Sequence, residues 1–176
     1  MQFVDGNKRT GASAVYHPMN TSYYCNRILE EWQIPPGSLR DGSFDSGALA
    51  SWVQEVKTRS IESGHWEVAA GKIGAVLFFA PRAENGLWID SVCTVLDEKD
   101  HVRIRRGLTT RIFNSRDVFT PDGGKTELKL AAEWENKGSL AENGGFSYLV
   151  QELKRFGNLY RTDAARQAKN NSFEID

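Results

Sequence analysis

Apolar residues recur at spacings of three and four along most of the chain, the period that gathers them on one face of an α-helix. The clearest case follows Asp45, whose side chain can accept a free backbone N–H at a helix start. Leu49, Trp52, Val53, Val56 and Ser60 then share a face, and Gly64 ends the segment. Ala69, Ile73, Val76, Leu77 and Ala80 form the next stripe, closed by Pro81. A short helix from about Asp90 turns Val92, Cys93 and Leu96 inward, and one over roughly Val102 to Asn114 repeats Ile104, Leu108 and Ile112. After a turn at Phe119 to Gly124, a sixth helix places Leu128, Ala131, Ala132 and Glu135 on one face with Trp134 beside them. Beyond Gly144-Gly145, a seventh carries Phe146, Leu149, Val150, Leu153, Phe156 and Tyr160. First in chain order, a helix starting after Asn20 or Thr21 carries Tyr24, Ile28, Leu29 and Trp32 and stops before Pro35-Pro36.

No segment sustains the alternation of a half-buried strand, and the length of the apolar pattern around Leu77 to Phe79 favours helix there too. The pattern predicts an all-α, single-domain bundle or irregular array of about seven helices. The helical domain spans 20–169, an irregular segment occupies 1–19, and 170–176 reads as a frayed tail. Short connections favour antiparallel neighbours.

Charge narrows little: a formal net charge of -1 provides no global field that selects nucleic acid, membrane or a charged substrate. Cys25 and Cys93 both fall within apolar helical patterns and read as buried thiols in a reducing compartment. The opening residues lack the apolar core of a signal peptide. The longest apolar run, Ile73 to Ala80, is too short to span a bilayer. The expected location is cytoplasmic, away from membranes.

Candidate chemistry is sparse. His17, His65 and His101 show no paired spacing for zinc, and no Cys-x-x-Cys exists, so neither metal nor cofactor is expected. His65, after Gly64, reads as a capping or exposed residue. Gly123-Gly124-Lys125-Thr126 echoes the end of a phosphate loop, but the simpler reading is a turn and a helix start. Trp52 belongs to an apolar face. Trp88 packs under the Gly86-Leu87 loop in the simplest reading, with an exposed partner anchor as the alternative.

The segment His101 to Arg116 is the most distinctive. It holds Arg103, Arg105, Arg106, Arg111 and Arg116 and no acid. On a helix, Arg103, Arg106 and Arg111 lie opposite the Ile104–Leu108–Ile112 stripe and form a cationic strip able to meet phosphates or an acidic partner. The plainer alternative is a solvated face paired with Asp90, Asp97, Glu98 and Asp100.

Two resemblances add to this. The string Phe3-Val4-Asp5-Gly6-Asn7-Lys8-Arg9-Thr10 resembles the active-site loop of the Fic/Doc family, which cradles nucleotide phosphates for transfer to a target hydroxyl. Asp5, Asn7 and Arg9 match that motif. The family's basic histidine would stand at Met1, so the resemblance implies a degenerate nucleotide-binding remnant without its base. From about Ile28 to Arg166 the chain resembles a helical domain at the C-terminal end of large uncharacterised bacterial proteins. The matching pieces include Trp52-Val53, Ile73-Gly74, Ala80-Pro81, Gly86-Leu87-Trp88, Asn114-Ser115-Arg116, Gly123-Gly124 and Tyr160-Arg161. That domain brings no assigned reaction.

The expected function is a non-catalytic helical interaction or accessory module that works through another protein. The alternatives are a nucleic-acid-binding domain using Arg103, Arg106 and Arg111, and a Fic-like remnant using Asp5, Asn7 and Arg9. Self-association through an exposed apolar face is a further expectation.

Overall fold

The computed structural model describes residues 36–39, 43–116 and 122–172. Six α-helices are present: α1 Ser46–Glu62, α2 Trp66–Leu77, α3 Asp90–Asp97, α4 Val102–Asn114, α5 Lys125–Asn143 and α6 Ser147–Ser172. Among the described residues there is no strand, only isolated bridges between Ser38 and Phe44 and between Arg82 and Trp88. The all-α expectation holds. The anticipated helix around Tyr24 to Trp32 lies outside the described residues, as do Cys25 and His17.

Local signals explain most boundaries. Asp45 Oδ1 accepts Ala48 N at 3.0 Å, which caps α1, and Gly64 with φ +72° turns the chain out of it. His65 stands at the start of α2 without a side-chain capping bond. Asp122 opens α5: one carboxylate oxygen accepts Gly124 N at 3.0 Å, and the other accepts Thr126 N at 2.9 Å and Thr126 Oγ1 at 2.6 Å. Those donors, with the Thr126 hydroxyl foremost, hold the Asp122 carboxyl below its ordinary range. The phosphate-loop echo is therefore a turn whose N–H groups already face an internal carboxylate.

Two helix pairs build the body. The first is α5 with α6, antiparallel: Gly124 meets Ala164, Ala131 meets Gly157, and Gly138 meets Leu153 and Lys154. Arg161 clamps Glu135 through two bonds of 2.6 Å. The buried row of α5 is Glu127, Ala131, Trp134, Gly138 and Ala141. Leu128, expected inside, is 49% exposed, and Ala132 is exposed too. The inward face is set by the small residues that let α6 approach, not by the largest apolar side chain.

The second pair is α2 with α4, and it is parallel. Glu67 meets Arg103, Gly107 meets Gly71, and Phe78 and Phe79 meet Arg111. Short connections favour antiparallel neighbours, as the link between α5 and α6 gives, but α2 and α4 are joined by a long one. The excursion 78–101, through α3, returns the chain to the starting end of α2 instead. Here the helices touch backbone to backbone. A Cβ on Gly74 would stand 2.0 Å from Ile104 O and 2.5 Å from Leu108 N. One on Gly107 would stand 2.0 Å from Gly71 O.

Short α3 ties these parts together. Asp97 Oδ1 accepts Leu149 N at 2.9 Å, so its end caps the start of α6. Buried Trp88 donates Nε1 to Leu77 O at 3.1 Å and stacks near Trp134 at 6.5 Å. Cys93 is free and buried, as its pattern suggested, and burial pushes its thiol up to about 12. His101 is also buried, with Nδ1 2.8 Å from Val95 O and the Trp66 ring beside it. Lys57 of α1 reaches Asp100 and His101.

The parallel crossing gives a sharp expectation. Gly74→Ala should lose about 2 kcal/mol or more, because backbone must move to admit one methyl. Gly71→Ala, whose Cβ meets nothing within 4 Å, should gain up to about 1 kcal/mol as a better helix former. Urea unfolding midpoints of the two variants check both signs.

Candidate functional site

Helices that approach this closely leave a shallow groove whose floor is small residues. Along α2 and α4 a groove of about 450 Å³ runs over Gly71, Ala75, Gly107 and Thr110. Its walls bring in Lys72, Arg103, Arg106 and Arg111, with Glu67 as the one carboxylate. All three arginines of the expected strip therefore line a single cavity. Four cations against one anion make it locally positive on a chain of net charge -1. Val68, 66% exposed, supplies an apolar rim, and Asn114 closes the far end.

The helical turn explains who reaches the groove. At about 100° per residue, Gly107 and Asn114 point nearly the same way, and Arg103 and Arg111 lie about 40° to either side of Gly107. Arg106 lies on the opposite edge, toward α6. Arg105 points inward, where it is buried and its Nη1 donates to Leu96 O at 2.6 Å and Glu98 O at 2.7 Å. It thereby satisfies carbonyls at the end of α3. Burial lowers its pKa from the ordinary arginine value, against the opposing pull of Glu152 and Asp97. Arg116 is elsewhere, 3.6 Å from the Phe113 ring centroid and 3.9 Å from Asp163. The basic segment is thus three groove residues and two structural ones.

The three groove arginines differ in their partners. Arg103 pairs with Glu67 across the two helices, and both side chains are well exposed. Arg106 Nε lies 3.0 Å from Glu152 Oε2. Glu152 is only 5% exposed and also receives Thr109 Oγ1 at 2.8 Å and Arg155 Nη2 at 2.5 Å. Arg111 sits over two aromatic faces, 5.8 Å from the Phe78 centroid and 5.4 Å from that of Phe79. Its Nε is buried with no hydrogen-bond partner, and it joins no ion pair among the described residues. The expected pairing with Asp90, Asp97, Glu98 or Asp100 does not describe these three: the partners are Glu67 and Glu152, which are distant in sequence.

Sequence reasoning missed Glu152 and Lys72. Glu152 carried a signal: it stands between Leu149 and Phe156 in the apolar stripe of α6, where a carboxylate needs buried donors. Lys72 carried none. Asp5, Asn7 and Arg9 lie outside the described residues. Among the described residues no three His, Cys, Asp or Glu gather as metal ligands, and no helix is long and apolar enough to cross a membrane.

No family model matches the chain, and no curated protein or solved structure does either. The groove has to be interpreted from its own chemistry.

The Glu152 cluster predicts an asymmetry. Replacing Arg106 and Arg155 together by Met, whose side chain has no N–H, leaves a buried carboxylate with the Thr109 hydroxyl as the one remaining side-chain donor of those three, and should cost about 3 kcal/mol. Glu152→Gln removes the buried charge instead, and should cost about 1 kcal/mol. Comparing the two by chemical denaturation checks the order.

Proposed function

We propose that this protein is a non-catalytic interaction module that docks an acidic segment of a partner protein along the α2–α4 groove. The observation that carries the reading is the convergence of Lys72, Arg103, Arg106 and Arg111 on one small-residue floor. Such a floor lets a main chain lie close, while the cations fix its charge and register. A positive groove on a chain with no net positive charge favours a local, patterned anion over a bulk polyanion. The exposed Val68 rim suits a partner with apolar side chains between its acids. The residues lining the groove contain no aromatic ring on which a base would stack. These features favour protein over nucleic acid.

The test is affinity capture from nuclease-treated bacterial lysate, with the native chain beside an Arg103→Gln, Arg106→Gln, Arg111→Gln variant of matched helical content. The expected result is a discrete protein retained by the native chain, weakened by salt and lost from the variant. Capture that is equal for both chains contradicts the groove. Capture that depends on nucleic acid surviving in the lysate contradicts the choice of partner.

A further inference from the structure

The three arginines of the groove stand in three different states, and this ordering bears on how a ligand would enter. Arg106 belongs to the buried Glu152 cluster, whose carboxylate has further bonds from Thr109 and Arg155. It is a fixed wall. Arg103 is held by Glu67, an exposed carboxylate reaching across from the first turn of α2. Arg111 is unpaired among the described residues, and aromatic faces hold its guanidinium.

We propose that Glu67 is an internal competitor for the groove. Its carboxylate occupies Arg103 in the free protein and gives way to a carboxylate of the docked segment, while Arg111 is the anchor that requires no displacement. The inference rests on the docking reading above and adds its regulation. Two features support the displacement. The Glu67 and Arg103 side chains are 64% and 59% exposed, and ion pairs this exposed are weak and readily exchanged. Glu67 is also the one acid among the groove's lining residues, placed where a ligand acid would sit.

The geometry also sets the ligand's spacing. Arg103 and Arg111 are eight residues apart on α4, an axial separation of about 12 Å. An extended segment spans that distance in about four residues at roughly 3.3 Å each. A helical one spans it in about eight. The class of ligand is therefore a peptide segment with two acids at one of those separations.

Fluorescence anisotropy of fluorescein-labelled octaglutamate, titrated with the full chain at low ionic strength, tests this, with octaglutamine as the neutral control. Arg111→Gln should weaken binding about tenfold. Glu67→Gln should tighten it about threefold more than Glu62→Gln, which removes the same charge from an exposed position at the end of α1. In an Arg103→Gln background, the Glu67→Gln gain should vanish. If Glu67→Gln merely equals Glu62→Gln, or its gain persists without Arg103, the competition is overturned while the groove stands on the Arg111 effect. If octaglutamate does not bind, binds no better than octaglutamine, or ignores both Arg103→Gln and Arg111→Gln, the docking reading fails and this inference fails with it.

Discussion

The contact between the backbones of α2 and α4 is the constraint on which the rest depends. Gly74 lies against Ile104 O and Leu108 N, and Gly107 lies against Gly71 O, so no side chain fits between the helices there. Close approach removes the bulky residues that would otherwise fill the seam, and a shallow channel with a floor of Gly71, Ala75 and Gly107 is left. The parallel course of the pair then decides what stands beside that channel. It brings Glu67 to Arg103 at one end and carries Arg111 to Phe78 and Phe79 at the other. An antiparallel pair with the same residues would have scattered these partners.

The charge of the groove follows from competition between local pairing and burial. Positive charges gathered on one face repel one another unless each finds a counter-ion or a polarisable surface. Arg105 resolves this by turning inward to the carbonyls of Leu96 and Glu98. Arg106 resolves it through Glu152, whose own burial is tolerable because Thr109 and Arg155 share the carboxylate. Arg111 has the ring faces of Phe78 and Phe79 instead of a carboxylate. The groove's character thus comes from how each arginine is satisfied, more than from how many there are.

Much of the fold was legible in the sequence because periodicity reports burial directly. The stripe Ile104–Leu108–Ile112 and the stripe Leu149–Val150–Leu153–Phe156–Tyr160 are buried as their spacing implied. The α5 face was misjudged because Leu128 is the most hydrophobic residue of the expected face, yet it is 49% exposed and the buried face is Glu127, Ala131, Trp134, Gly138 and Ala141. Helical spacing suggested Arg103, Arg106 and Arg111 as one solvent-facing strip; Arg103 and Arg106 are exposed, but Arg111 is half-buried with its Nε shielded. What they face was hidden, since Glu67 and Glu152 lie 36 and 46 residues away from their partners Arg103 and Arg106 in the chain. The parallel sense of α2 and α4 was equally hidden, because connection length alone does not say which way a chain returns. Glycines at 74 and 107 in otherwise helical patterns were the available clue, since glycine inside a helix costs stability unless close packing requires it.

The central claim is that ligand recognition takes place in the channel between α2 and α4. Amide resonances of ¹⁵N-labelled protein, followed as octaglutamate is added, test it most directly. The account predicts saturable shifts concentrated at Gly71, Lys72, Gly107, Thr110, Arg111 and Asn114, with α5 and α6 little changed beyond the neighbourhood of Glu152. Shifts centred on α5 and α6, or spread evenly over every basic residue with no saturation, would contradict it.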